Sequence, residues 1–229
     1  WLTRTDCSRT VPEWTVVDAN GNVAGDCDGI FKPSSQSFWS SEADGSYVDK
    51  GGVGAMLKAR MSGSDPKIPA TPYYSWRNIY TYKGATDGSL VPFLHANITN
   101  LDLEVIDNLN RYRIINFMYG YTYDAVSSAN PNPVAKREWL LGDIIHSEPR
   151  IIDYFDDSGT LSHRFIAVGA NDGMLHVFTD SAISLGGISY AAGDEIFAFI
   201  PRDLLRRLQE FSRADTHITM VDGSPALYR

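Results

Sequence analysis

The stretch FIAVGANDGMLHVF, residues 165–178, restricts the fold more tightly than any other part of the chain. Two apolar runs, Phe165–Val168 and Met174–Phe178, flank Asn171-Asp172-Gly173. A tight turn needs residues that tolerate positive φ, so an Asp-Gly pair between alternating apolar segments predicts a β-hairpin. The same Asn-Asp pair offers oxygen atoms to a cation, which leaves a binding loop as the competing reading.

The surrounding sequence repeats that pattern. RIIDY (150–154), Arg164–Val168, Met174–Thr179 and Glu195–Ile200 read as short strands. Asp156-Asp157-Ser158-Gly159, Asn171-Asp172-Gly173 and Ala192-Gly193-Asp194 are the turns between them. Strands at this spacing predict a propeller or a sandwich. Asp203–Phe211 reads as a short amphipathic helix, and His217–Val221 as a further strand before the turn Asp222-Gly223-Ser224-Pro225. Before Trp139 the character differs. Residues 1–75 are rich in Gly, Ser, Asp and Pro, with a short hairpin around Asn20-Gly21 and a short helix over 51–60. RNIYTY (77–82) predicts a strand. Thr99–Tyr119 predicts one long helix, capped by Thr99 and ended by Gly120, with Leu101, Val105, Ile106, Leu109, Tyr112, Ile115 and Phe117 along its apolar stripe. The expected organisation is therefore an irregular, partly helical segment, 1–138, leading into a β region, 139–229.

With 229 residues the chain can bury a sizeable core. A net charge of −8 argues against a nucleic-acid partner, because neutralising phosphates takes clustered Lys and Arg. No apolar run approaches the roughly 20 residues of a membrane span. Cys7 and Cys27 are the two cysteines. They allow a metal or redox pair, or a disulfide closing a polar loop. No Cys-x-x-Cys and no nearby His supports metal, so the disulfide is expected, and with it an oxidising compartment. Asp18, Asn20, Asn22 and Asp26 have the oxygen-rich spacing of a calcium loop. Val23 stands where such a loop needs Gly, however, and its twelfth position lacks an acid, so a solvated turn is expected and the four remain weak calcium candidates. The absence of an initiator Met, and an end just after a turn, give the expectation of a fragment. A blade takes roughly 40 to 50 residues and a ring at least four blades, so 139–229 is expected to hold the first two of an incomplete ring.

Four motifs in order carry a family resemblance: WLLGDIIHSEPRII (139–152), FIAVGANDGMLHVF (165–178), GDEIFAFIPRDLL (193–205) and VDGSP (221–225). Together they resemble the C-terminal β-propeller of the PilY1/PilC family of type IV pilus-tip adhesins and assembly factors. FWSSEADG (38–45), GGVGAML (51–57), RNIYTY and IINFMYG (114–120) resemble the segment that leads into it. The resemblance implies a mainly β fold, a partial propeller of quinoprotein-like blades behind an irregular, partly helical segment. It implies a non-enzymatic adhesin and pilus assembly factor, extracellular or at the cell surface of a Gram-negative bacterium. Minor pilins, the pilus tip, a host or surface receptor and the remainder of the propeller are the implied partners. The family's calcium loop lies in a later blade, so no cofactor is carried over to these residues.

Two other classes compete. VGANDGMLHVF alone also resembles the repeat of quinoprotein (PQQ-type) dehydrogenases, but the adjacent cysteine pair of those enzymes is missing here. A cell-surface binding module unrelated to pili is the third reading. Among candidate catalytic groups, His146 stands beside Asp143 and Ser147 in GDIIHSEP. Triad members normally converge from separate segments, so His146 is expected to fix the entry to the first blade by hydrogen bonding. His176 alternates with apolar residues and is expected to be a satisfied packing residue. Asn171, Asp172, Gly173, Asp222 and Gly223 are expected to be structural turn residues.

Overall fold

The computed structural model describes residues 16–25, 30–47, 49–62, 76–83, 88–125, 135–213 and 217–228. Cys7, Cys27 and Asp26 lie outside them, and so does the expected disulfide. The chain divides into two compact units, Trp1–Ala59 and Arg60–Arg229, with helix α1 (Gly52–Ser62) running across the division.

In the first unit the expected turn at Asn20-Gly21 is present, closed by a bridge between Val17 and Val23. A second bridge joins Gly25 to Phe31. The buried carboxylate of Asp44 accepts from the Ser37 amide at 2.8 Å, from the Ser37 hydroxyl, and from Ser40 Oγ at 3.0 Å. One acid thus organises a segment that has little apolar surface to bury.

The second unit is built on a mixed sheet of six strands, in the order β2-β1-β8-β5-β4-β3. Strands β1 (Ile79–Lys83) and β2 (Ser89–Pro92) form an antiparallel pair upstream. Strands β3 (Arg150–Phe155), β4 (Leu161–Ala170) and β5 (Met174–Thr179) form a meander. A separate small hairpin, β6 (Ile183–Leu185) and β7 (Ile188–Tyr190), interrupts the chain before β8 (Glu195–Ile200) returns beside β5. The strands expected within 77–82, 150–154, 164–168, 174–179 and 195–200 are found. Within 139–229, β3, β4, β5 and β8 form one four-strand antiparallel meander. The sheet then grows by recruiting β1, which pairs parallel to β8 through Ile79↔Ala198 and Thr81↔Ile200.

The long helix expected over Thr99–Tyr119 is also corrected. Helix α2 spans Asn108–Met118, with Asp107 as its N-cap accepting from the Asn110 amide. Thr99 does cap, but it caps a turn, exchanging hydrogen bonds with Asp102. Glu104 then sits at φ 52, a left-handed conformation that no α-helix propagates. As a result Leu101 and Ile106, members of the expected stripe, are 85% and 94% exposed, while Leu103 and Val105 are buried. At the far end a 3-10 segment, Arg202–Arg207, runs into helix α3 (Leu208–Arg213). The strand expected over His217–Val221 is not formed. That segment lies as irregular chain, with the Met220 amide donating to Asn171 and Arg207 donating to the Thr219 carbonyl.

One face of the sheet makes the core. Register places Ile79 and Thr81 of β1, His176 and Phe178 of β5, and Ala198 and Ile200 of β8 on it, each 1% exposed or less. Ile114, Ile115 and Met118 of α2, and Leu205 and Leu208, are buried in the same unit.

Candidate functional site

Two polar constellations stand out, one sealed inside the core and one at the rim. The sealed one joins three separate segments. Arg77 precedes β1, Glu195 opens β8, and Asp172 and His176 belong to the β4–β5 hairpin; all four are less than 5% exposed. Arg77 clamps Glu195 with both ends of its guanidinium, Nε to Oε2 at 2.5 Å and Nη2 to Oε1 at 2.7 Å. His176 bridges onward, its Nδ1 2.7 Å from Glu195 Oε1 and its Nε2 3.1 Å from both oxygens of Asp172. Nη1 of Arg77 donates to the Met118 carbonyl and so ties the C-terminal end of α2 to the sheet.

Two cations and two anions cancel in this quartet. Burial disfavours the charge on His176, yet Asp172 and Glu195 overcome that cost and raise its pKa to about 9. Burial likewise opposes ionisation of Glu195, but Arg77 and then His176 bring it down to about 2. Asp172, against the same opposition, is held below the usual carboxylate range by His176 and Arg77. The expected packing role of His176 thus takes a charged form. It stacks on Phe178 at 5.6 Å while its two nitrogens are held by carboxylates. With every member sealed from solvent, the quartet has no face on which a substrate could react.

The rim constellation is where the motif residues meet. Asp172 accepts from the amides of Met174 (3.2 Å) and Gly142 (3.0 Å), so the β4–β5 turn is pinned to the GDIIHSEP segment. Gly173 takes the φ of 88° that the turn requires. Asn171 donates to Asp143 Oδ2 at 2.8 Å and accepts from the Met220 amide. Its role is therefore long-range as well as local. Asp143 also lies 2.8 Å from His217 Nε2. His146 lies 2.5 Å from Asp222, whose other oxygen accepts the His146 amide. Ser147 Oγ accepts from the Gly169 amide, and Ser224 Oγ accepts from the Glu148 amide. The segments approach closely: a Cβ on Gly169 would stand 2.4 Å from the Val221 carbonyl oxygen, and one on Gly142 2.3 Å from the Asp172 nitrogen.

Chemically, the rim holds His–Asp pairs but no nucleophile in line with them. Ser147 is spent on the Gly169 amide, and His146 faces Asp222, not Ser147. Among the described residues no group of three or more His, Cys, Asp or Glu is placed to hold a metal. At the calcium candidates, Asp18 Oδ1 accepts from the amides of Asn20 and Asn22 at 2.9 and 2.8 Å, and Asn20 reaches Gln36. Three of the four candidates therefore form a self-bonded turn in which the acid serves the backbone.

Asp143, Asn171, Asp172 and Asp222 were all legible as turn or motif residues. Arg77 and Glu195 were not, because 118 residues separate them. Their one signal is a charge at the head of each apolar strand, Arg77 before IYTY and Glu195 before IFAFI.

Comparison with known proteins follows the motifs. The chain is 26% identical over 196 residues to a type IV pilus biogenesis factor PilY1 of Pseudomonas aeruginosa (strain UCBPP-PA14), covering 71% of this chain and 15% of that protein. It is 28% identical over 189 residues to a PilY1 homolog of Xylella fastidiosa (strain Temecula1), covering 65% of this chain and 15% of that protein. Both support the PilY1-like family that the motifs resemble. The chain spans about 15% of the length of these relatives. No family model and no solved structure matches it. Among the described residues no helix is long and apolar enough to cross a membrane.

Proposed function

We propose that the chain is part of a non-enzymatic type IV pilus-tip adhesin and pilus assembly factor, displayed at the surface of a Gram-negative bacterium. The observation that carries this reading is the convergence of the resembling motifs. GDIIHSEP, the β4–β5 hairpin and VDGSP are knitted together through Asp143, Asn171, Asp222 and Ser224, and GDEIFAFIP joins the hairpin through Glu195. The relatives that the chain resembles are type IV pilus biogenesis factors of the PilY1 kind.

The meander β3-β4-β5-β8 is read as one blade of a β-propeller, whose remaining blades lie outside these residues. Its function is presentation: a rigid sheet offers loops to minor pilins or a surface receptor while its polar clasps hold the loops in place. Pull-down of purified minor pilins by the complete secreted protein, with Asn171→Ala/Asp222→Ala as the loosened control, tests the pilus reading. Specific retention that weakens in the control is expected, and no retention by the intact protein counts against it. Titration with pyrroloquinoline quinone, followed by absorbance, tests the enzyme alternative; saturable binding would overturn the non-enzymatic reading.

A further inference from the structure

The loop that leads into α2 keeps two apolar side chains in water. Between residues 99 and 107, Leu103 and Val105 are buried, while Leu101 and Ile106 are almost wholly exposed. Hydrogen bonds fix the loop along its length. The Thr99 amide and hydroxyl donate to Asp102 at 2.8 and 2.6 Å, and the Val105 amide donates to the Asn100 carbonyl at 2.9 Å. Asn100 Nδ2 donates to Asn108 Oδ1 at 3.1 Å, and Asp107 caps α2. Between the two buried anchors Glu104 holds its left-handed φ of 52, unfavourable for a residue with a Cβ. Single exposed apolar residues are ordinary on a protein surface. Here two are held out by a bonded and strained backbone, and strain kept in such an element points to a binding role.

A depression of about 400 Å³ lies against the same loop. Leu101, Asp102 and Glu104 wall one side of it, and Arg202, Asp203 and Arg206 of the 3-10 segment wall the other. Among the described residues the carboxylates of Glu104 and Asp203 and the guanidinium of Arg206 have no hydrogen-bond or ion-pair partner. Three acids thus face two arginines, an excess of acid in a chain whose net charge is already −8. Local and overall charge both favour a basic partner. We propose that loop 99–107 and this depression form a protein-docking surface. Its occupant is a protein that offers apolar surface to Leu101 and Ile106 and a Lys or Arg side chain to the depression, where Glu104 and Asp203 receive it. The identity of that partner as a minor pilin rests on the pilus reading above; the place of contact and its chemistry go beyond it.

Binding of purified minor pilins to the complete protein, followed on a biosensor surface, tests this. Leu101→Ser/Ile106→Ser is expected to weaken binding at least tenfold and to leave the unfolding midpoint unchanged, since both side chains stand in solvent. Asp203→Lys should slow association, and Arg206→Glu should speed it. Wild-type binding that the double variant leaves intact overturns the surface while the pilus reading stands. Association that responds to the two charge reversals in the opposite sense, or not at all, overturns the basic occupant. No pilin binding by the wild type removes the pilus reading and this surface with it. Cysteine access decides independently of any loss of stability in the variants. Leu101→Cys in the complete protein should label rapidly with maleimide and be protected at least tenfold by saturating pilin. Protection already present without pilin means that the loop is covered from within, and it overturns the proposal; so does unchanged labelling when pilin is bound.

Discussion

At the scale of the residue, the decisive feature is a neutral quartet of charges in a dry core. Desolvating four charges is costly, and the attraction among them repays that cost only while every partner is present. Glu195 is the hinge of the arrangement, since both Arg77 and His176 depend on it. Replacing Glu195 with Gln therefore strands a buried guanidinium, and a loss of about 3–5 kcal/mol is expected in urea unfolding. Arg77→Met should cost a similar amount. The double variant Arg77→Met/Glu195→Gln is expected to lose clearly less than the sum of the two, because it removes the stranded charge along with its partner. Strict additivity would show that the two side chains act independently, contrary to their bidentate geometry.

At the scale of the element, local chemistry and long-range pairing separate cleanly. The β4–β5 hairpin was legible because its signal is local: a turn that needs Gly173, and alternation on either side. The α2 boundary was not, because periodicity counts apolar positions and takes no account of a single left-handed residue. Glu104 ended the stripe that Leu101 and Ile106 had extended. The parallel pairing of β1 with β8 had no signal at all, as no turn residue records which distant strand will be the neighbour. Of the candidate site, the motif residues were visible one by one, but their convergence at the rim was not. Two substitutions test these elements. Asp107→Ala removes the N-cap of α2 and is expected to cost about 1 kcal/mol in thermal or chemical unfolding. Gly169→Ala drives a methyl group toward the Val221 carbonyl and should destabilise by about 1–3 kcal/mol. It should also raise proteolytic cleavage within 217–224, since that segment is what must move; unchanged cleavage would mean the strand yields instead.

At the scale of the whole molecule, the same buried groups dictate how stability depends on pH. His176 titrates near 9 in the folded chain, against about 6.5 in an unfolded one. Its contribution is fully present below pH 6.5 and is lost as pH rises through 9. Glu195 and Asp172 have depressed folded values, so their contribution is present above about pH 4.5 and is lost as pH falls toward 2. His95 acts in the opposite sense to His176. Burial lowers its pKa to about 4, so the folded chain resists its protonation and loses stability between pH 6.5 and 4. These slopes meet in one place. Stability should peak near pH 6–7 and decline toward pH 9 by an amount on the order of a few kcal/mol. It should decline toward pH 4 as well, steepening below that as the carboxylates protonate. Urea midpoints measured from pH 4 to pH 9 check the profile. His176→Gln should flatten the alkaline limb and weaken the steep acidic fall that Asp172 and Glu195 contribute, while the His95 part between pH 6.5 and 4 stays in place. A wild-type curve that stays level between pH 6.5 and 9 would mean that His176 is not held as an imidazolium between its two carboxylates.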